Sequence, residues 1–299
     1  MMVFPKVPDQ HKPDKPLVPN GLGIFYVLLS VIYLFVLYYF FSTNGDPKQA
    51  EKALSFAVCI LFGGFMGLID DWMDLRWRYK AFLPVIAALP LAVLRQGYPV
   101  MSTYFFGRIN FKTISFWAIP GEIIFYFAII PLIVTVTTNS VNQLGGLNGL
   151  ETLCPTVVMF ALLFSSGESY RILLYFPLIV NLVLGFFNFQ GKIFVGNTGS
   201  FALGITLASY AIIVNAEQTL LISILPYIFN SSIKLLNILL FKRLPKLELS
   251  RNVLRSDHRR SLLTLIVYYK PLTERKLVSV VLVIFAVFAF FAVLAGFYS

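Results

Sequence analysis

The chain has 299 residues and a formal net charge of +10, and 58% of its residues are hydrophobic while only 13% are charged. The apolar residues occur in long blocks, and about 20 consecutive apolar residues cross a bilayer core of roughly 30 Å. This composition predicts an integral membrane protein and excludes a water-soluble domain. Both cysteines, Cys59 and Cys154, lie in apolar blocks, so neither a disulfide framework nor a cysteine metal site is expected.

Nine apolar blocks are predicted membrane spans, and no repeat or linker separates them. We therefore expect one all-α polytopic membrane domain over residues 1–299. The stretch 1–20 is polar and proline-rich, which is unlike a signal peptide and predicts a cytosolic N-terminal segment. The predicted spans are residues 21–42, 53–70, 81–95, 122–138, 152–166, 170–187, 200–216, 219–241 and 277–297.

The positive charge predicts how these spans are oriented. With a cytosolic N-terminus, most of the 24 Lys and Arg residues fall in cytosolic segments, above all in a basic loop at 242–276, as expected for membrane proteins. The positive net charge then reflects membrane orientation, so no nucleic-acid partner is expected. On the opposite side, the pattern between residues 98 and 116, with a turn at 107–110, fits either a small lumenal β-hairpin or a tethered loop.

Three acids, Asp70, Asp71 and Asp74, close the second predicted span. Carboxylates near hydrocarbon are costly and suggest function. Because residues three and four apart are neighbours on a helix, this cluster would repel itself without a cation, and Mg²⁺ prefers oxygen ligands. The alternative is a solvated helix end in which Asp74 pairs with Arg78. The cations that follow, up to Lys80, are either membrane anchors or phosphate ligands.

Three further polar segments follow later spans on the same predicted side. Residues 138–151 contain three Asn and three Gly, and such amides suit base edges or Mg²⁺, although a glycine-rich turn fits equally well. Residues 187–200 form a glycine-rich loop with a helix predicted to open at Ser200, where helix N–H groups can bind phosphate. The basic loop either binds lipid headgroups or only sets orientation, and its apolar stretch 262–269 is expected along the membrane interface.

Together these segments resemble the polyprenyl-phosphate N-acetylhexosamine-1-phosphate transferases, and most of all their eukaryotic dolichyl-phosphate branch. Bacterial relatives carry a histidine-rich cytosolic loop, whereas this chain has only two histidines. The matching words are Gly-Leu-Ile-Asp-Asp-Trp-Met-Asp at 67–74, Thr-Asn-Ser-Val-Asn at 138–142, Gly-Leu-Asn-Gly-Leu-Glu at 146–151, Ile-Phe-Val-Gly-Asn-Thr at 193–198 and Leu-Thr-Glu-Arg-Lys-Leu at 272–277.

The resemblance implies transfer of GlcNAc-1-phosphate from UDP-GlcNAc to dolichyl phosphate, with release of UMP and Mg²⁺ as cofactor. It places the enzyme in the endoplasmic reticulum membrane, in contact with membrane lipid, with its active site facing the cytosol. The oligomeric state is left open, a homodimer included. Asp70 and Asp71 would orient or deprotonate the acceptor phosphate. The other implied site residues are Asn142 and Asn197 as metal ligands, and Lys80, Asn139, Asn148, Glu151, Phe194 and Arg243 as substrate-binding residues.

The chain departs from the family pattern in three places. Asn197 stands where the family has a metal-binding aspartate, Asn20 replaces an early glutamate, and nine spans are predicted where ten are usual. An amide keeps the ligand oxygen but loses a charge, so Mg²⁺ affinity is expected to fall. An inactive paralogue that serves as a scaffold or binds lipid phosphate is therefore the main rival. A transporter fits less well, because its acids would be expected near the middle of the spans.

Overall fold

The computed structural model describes residues 4–103 and 107–297 and is mostly helical. A π-helical turn at Phe125–Ile129 joins helix Gly121–Ile124 to helix Ile130–Leu144. The helices are α1 Gly23–Thr43, α2 Pro47–Met73, α3 Trp77–Phe82, α4 Pro84–Ala87, α5 Leu89–Val93, α6 Gly121–Ile124, α7 Ile130–Leu144, α8 Leu150–Ser165, α9 Glu168–Phe189, α10 Gly196–Ile213, α11 Glu217–Ser223, α12 Leu225–Phe241, α13 Leu262–Tyr269 and α14 Glu274–Phe297.

Within the described residues, five helical segments are long and apolar enough to cross a membrane: α1, α2, the joined α6–α7, α9 and α14. The pair α11 and α12, bent by 56° at its break, would make a sixth. These lengths agree with the predicted class, an all-α multi-pass membrane protein. The count of nine spans and their orientation stay predictions.

Two further predicted spans contain no helix long enough to cross a bilayer. Residues 81–95 fall in three short helices, α3 to α5, because Pro84 and Pro90 lack the N–H that a continuous helix needs and clash with the preceding turn. Helix α8 has 16 residues, which at 1.5 Å per residue is about 24 Å. Each of these four helices is therefore shorter than the bilayer core, which is roughly 30 Å thick.

Helix α10 lies at the centre of the bundle, and every residue from Thr198 to Ile213 is buried. Glycines let neighbouring helices approach it closely, as is common in membrane bundles. A Cβ on Gly67 of α2 would lie 2.2 Å from the Asn197 carbonyl oxygen, and one on Gly204 would lie 2.6 Å from the Thr138 Cα of α7. The C-terminal end of α2 is thus held directly against the N-terminus of α10.

The described part of the chain has four short antiparallel hairpins outside the helices. They pair β1 Lys6–Pro8 with β2 Leu17–Pro19, β3 Val100–Thr103 with β4 Gly107–Asn110, β5 Ser115–Phe116 with β6 Ile119–Pro120, and β7 Glu248–Ser250 with β8 Val253–Arg255. The hairpin predicted between residues 98 and 116 is present, but the predicted turn at 107–110 is strand β4, and residues 104–106 lie outside the described part. Its lumenal location stays a prediction. The first and last hairpins were not expected, because three-residue strands give too short an alternating pattern.

Replacing Gly67 with alanine should destabilise the bundle, because the new Cβ would overlap the backbone of Asn197. Overpacking of this kind costs about 1–3 kcal/mol, so the thermal midpoint in detergent should fall. Gly167→Ala is the matched control, since its Cβ would lie 3.6 Å from the nearest Tyr170 atom. Equal midpoints for the two variants would contradict the close packing of α2 against α10.

Candidate functional site

A cavity of about 340 Å³ opens beside the C-terminal end of α2 and the N-terminus of α10. It brings together residues from three of the four polar segments that the sequence singled out, so side chains from distant parts of the chain share one site. The N-terminal hairpin segment forms a further wall. The lining residues are Pro8, Asp9, Gln10, His11, Asn20, Asp71, Gly146, Leu147, Glu151, Phe194, Gly196 and Asn197.

Asp71 projects from the last turn of α2 and caps α10. Its Oδ1 accepts the backbone N–H of Asn197 at 2.8 Å, and its Oδ2 accepts the backbone N–H and the hydroxyl of Thr198 at 2.8 and 2.7 Å. A carboxylate at a helix N-terminus satisfies free N–H groups and complements the helix dipole. The residue remains exposed beside the cavity, so its carboxylate both fixes α10 and faces the site.

Asp70 has a different environment, although it is the adjacent residue. It is buried, and its Oδ1 lies 2.8 Å from Lys80 Nζ and accepts the backbone N–H of Leu75 at 3.0 Å. Its Oδ2 is a buried oxygen without a hydrogen-bond partner. Asp74 ends α2 in the left-handed conformation, and its ion-pair partner in the described chain is Lys80 at 3.7 Å rather than Arg78.

The two asparagines predicted as metal ligands are in direct contact. The Asn142 amide donates to Asn197 Oδ1 at 2.9 Å and to the Ser200 hydroxyl at 2.8 Å. Helix α10 begins at Gly196, four residues before the predicted start at Ser200, so Asn197 lies in its first turn. The early start follows from Asp71, which supplies the cap from outside the segment.

Glu151 and Phe194 also line the cavity. The Glu151 carboxylate accepts the Gly146 N–H at 3.2 Å, just before the predicted fifth span. Burial raises the pKa of this carboxyl to about 7, while the Gly146 hydrogen bond opposes the rise. The backbone of Phe194 is pinned between Pro19, whose carbonyl it binds at 2.8 Å, and Leu22 at 3.1 Å. The aromatic ring therefore sits on a fixed loop.

Six predicted site residues do not line the cavity: Asp70, Lys80, Asn139, Asn142, Asn148 and Arg243. The Asn139 amide donates to the Ala81 carbonyl at 3.2 Å and to Thr135 at 3.0 Å, which ties α7 to the segment carrying Lys80. Asn148 is buried, and its side-chain amide donates to the carboxylates of Asp9 and Glu274. Arg243 is exposed just beyond the end of α12.

The wall formed by residues 8–11 was not predicted, because residues 1–20 resemble a polar N-terminal segment. A signal was present in retrospect: two Val-Pro steps flank a turn-rich stretch of Pro, Asp and Lys, which is the pattern of a short hairpin. The pattern is too short to separate from an irregular segment by sequence alone.

The donor set at the cavity fits a hard divalent cation completed by substrate oxygens. In the described residues, no three His, Cys, Asp or Glu side chains cluster to hold a metal ion. The cavity instead offers the carboxylates of Asp71 and Glu151 and the amides of Asn20 and Asn197. Mg²⁺ commonly takes one or two carboxylates and obtains the rest from water and phosphate.

Comparisons with known proteins find matches over more than half of the chain. The glycosyl transferase family 4 model matches residues 53–215. A Sulfolobus acidocaldarius protein provisionally named UDP-N-acetylglucosamine–dolichyl-phosphate N-acetylglucosaminephosphotransferase is 30% identical, over 75% of this chain and 66% of its own. Proteins with this name from Dictyostelium discoideum and Saccharomyces cerevisiae are 29% and 28% identical, over 71% and 74% of this chain. The chain spans only 59% and 58% of their respective lengths.

Removing the cap should lower stability independently of any activity. Asp71→Ala leaves the N–H groups of Asn197 and Thr198 without their partner, and loss of a helix cap costs about 1–2 kcal/mol. Chemical unfolding in detergent measures this loss. Asp74→Asn removes the charge of a fully exposed carboxylate three positions along and keeps a side chain that tolerates the left-handed conformation there; it is the control and should unfold like the wild type. A similar loss in both variants would argue against a capping role.

The ion pair between buried Asp70 and partly exposed Lys80 should show strong coupling. Lys80→Met leaves a buried carboxylate without its cation, and an unsatisfied buried polar group costs about 1–3 kcal/mol. The double variant Asp70→Asn with Lys80→Met removes both charges and should recover most of that loss. A double-mutant cycle of unfolding free energies measures the coupling. Additive effects would contradict the pairing.

Proposed function

The chain belongs to glycosyl transferase family 4, and from this membership and the cavity we propose that it transfers GlcNAc-1-phosphate from UDP-GlcNAc to dolichyl phosphate, releasing UMP. The observation that carries the proposal is the convergence of Asp71, Glu151, Phe194 and Asn197 on one cavity of about 340 Å³. Relatives of this family carry names that specify the same donor and acceptor. In a eukaryotic cell the reaction would occur at the endoplasmic reticulum membrane.

The reaction forms a bond from an acceptor phosphate oxygen to the β-phosphorus of UDP-GlcNAc and breaks the bond to the α-phosphate oxygen. The second pKa of an alkyl phosphate is about 6, so most of the acceptor is already a dianion at neutral pH. Little proton removal is then needed. The protein's main tasks are orientation of the two phosphates in line and compensation of their charge.

Asp70, Asp71 and Lys80 are proposed to act at the acceptor phosphate. Lys80, held 2.8 Å from Asp70 Oδ1, would contribute positive charge at a fixed position. Asp71 would orient the acceptor and accept a proton at its exposed carboxylate when one remains. Arg243, exposed on the basic loop, is proposed to bind phosphate from the opposite direction.

The donor is proposed to bind along the remaining wall. Phe194 offers an aromatic face on a pinned loop, which suits stacking against uracil. The amides of Asn139 and Asn142 would position the adjoining backbone and the metal-binding face. Asn142 and Asn197, with Asp71, are the residues proposed to hold Mg²⁺, which when bound would neutralise charge on the diphosphate.

We further propose that the cavity faces the cytosol. The basic loop 242–276 and the segment around Lys80 belong to the predicted cytosolic side, and excess Lys and Arg orient membrane proteins in this way. UDP-GlcNAc is a charged, water-soluble nucleotide sugar, so a mouth at the membrane boundary allows it to meet an acceptor whose chain stays in the lipid.

The test is Mg²⁺-dependent UMP release from UDP-GlcNAc and dolichyl phosphate by the purified protein. Asp71→Asn should reduce the rate by about 100-fold or more, as loss of a preorganised electrostatic group does. Asn197→Asp should lower the Mg²⁺ concentration needed for half-maximal rate, because it adds a charged oxygen ligand. Asp257→Asn, at an exposed acid of the basic loop, is the control and should match the wild type.

Two outcomes would contradict the proposal. Equal rates for the wild type and Asp71→Asn would remove the acid from the mechanism. No activity in the wild type together with recovery in Asn197→Asp would identify an inactive paralogue, the rival that the departures at Asn197 and Asn20 suggest.

A further inference from the structure

The N-terminal hairpin, β1 with β2 and the tip between them, is a wall of the cavity that cannot be stable alone. Its strands have three residues each, and an isolated two-stranded hairpin is at best marginal in water. Gln10 and His11 in the tip line the cavity. Whatever holds the tip therefore determines whether these side chains stand at the site.

The base of the hairpin is held by backbone bonds that do not involve the tip. Phe194 N–H donates to the Pro19 carbonyl at 2.8 Å, and Gly23 N–H donates to the Val195 carbonyl at 3.0 Å. Asn20 N–H closes the base on Pro5 at 2.9 Å. These contacts attach the hairpin to the loop before α10 and leave the tip to be fixed separately.

The tip is held by a cluster of four side chains, which we name the tip clamp: Asp9, Lys12, Asn148 and Glu274. Asn148 Nδ2 donates to Asp9 Oδ2 at 2.7 Å and to Glu274 Oε1 at 3.0 Å, and its backbone N–H donates to the same Glu274 oxygen at 2.9 Å. Lys12 forms an ion pair with the other Glu274 oxygen. One amide thus joins the tip to the first residue of α14.

Forming the tip clamp requires the burial of two carboxylates, which costs more free energy than a contact that only stabilises a loop needs to cost. Asp9 and Glu274 are 3% and 7% exposed, and burying carboxylates is costly unless each is paired and hydrogen-bonded. Both acids receive donors from a single amide, and Asp9 Oδ1 also accepts the His11 N–H at 3.2 Å, so loss of the Asn148 amide leaves Asp9 Oδ2 without its donor. Asp9 also lines the cavity, which connects the clamp directly to the site.

From these contacts we propose that Asp9, Asn148 and Glu274 are positioning residues that hold the hairpin tip against the cavity, where Gln10 and His11 contact the nucleotide-sugar donor. This inference rests on the proposed function for the identity of the donor. It assigns Asn148 to the clamp rather than to direct contact with the base. Because the base of the hairpin is anchored independently, releasing the clamp should loosen the tip without unfolding the bundle.

The experiment measures backbone hydrogen exchange of residues 9–16 together with KM and kcat for UDP-GlcNAc. In Glu274→Ala, exchange at the tip and KM should each rise at least about tenfold, the effect expected from loss of a hydrogen bond to a charged group. The kcat should stay within about threefold, because the reacting groups are untouched. Glu274→Gln keeps an oxygen acceptor for Asn148 and should restore much of the lost affinity.

Glu168→Ala is the matched control. Glu168 is the exposed first residue of α9 and Glu274 the first residue of α14, so both substitutions remove an acid from a helix N-terminus, but only one breaks the clamp. Asp9→Ala releases the clamp from the hairpin side and covers the case in which Glu274→Ala fails to fold. It should reproduce the rise in exchange and KM.

Unchanged exchange at the tip in Glu274→Ala or Asp9→Ala would overturn the proposal, as would faster exchange with an unchanged KM. Equal effects in Glu168→Ala would also overturn it. A wild-type protein that neither binds UDP-GlcNAc nor releases UMP would contradict the proposed function itself. In that case faster exchange at the tip in the clamp variants alone would still support the clamp.

Discussion

The close contact between α2 and the N-terminus of α10 is the constraint on which the site depends. Gly67 brings the two backbones together, since any side chain there would overlap Asn197. One helical turn later, Asp71 is at the correct height to accept the N–H groups of Asn197 and Thr198. The same approach that packs the bundle therefore caps its central helix and carries the carboxylate into the cavity.

Each buried acid near the site has at least one donor, although Asp70 Oδ2 has no hydrogen-bond partner. Asp70 has Lys80 and the Leu75 N–H, and Asp9 and Glu274 share Asn148. Each arrangement meets the requirement that a carboxylate removed from water be hydrogen-bonded or paired. Asp71 and Glu151 border the open space of the cavity, as Asp9 does from the hairpin side. The local excess of negative charge there is the physical reason to expect a cation with the phosphates.

The sequence could predict which segments meet, and topology explains why. Polar segments that follow alternate spans return to the same membrane face, so Asp71, Glu151 and Asn197 were expected on one side. Composition also predicted the helical membrane class. The different contacts of Asp70 and Asp71 were not predictable from the sequence. Successive helical residues point about 100° apart, so the contacts of each acid depend on where α3 and α10 lie.

Other features depend on contacts between distant residues. The partners of Asn148 lie 139 and 126 positions away, and no local pattern indicates them. The resemblance directed attention to this asparagine as a ligand of the base, whereas its amide hydrogens are bonded to two carboxylates. The N-terminal hairpin was missed for a related reason: its stability comes from Phe194 and the clamp, not from strand propensity.

The amide at Asn197 is consistent with the charge around it. Its Oδ1 accepts the Asn142 amide at 2.9 Å, and its own backbone N–H is bonded to Asp71. A carboxylate at this position would lie beside Asp71 in a cavity that Asp9 and Glu151 also line, so it would add like-charge repulsion whenever no cation was present. The neutral side chain keeps the ligand oxygen and removes that repulsion. If the proposed Mg²⁺ site exists, the neutral side chain supplies less charge to the ion than a carboxylate would, so Asn197→Asp is expected to strengthen Mg²⁺ binding.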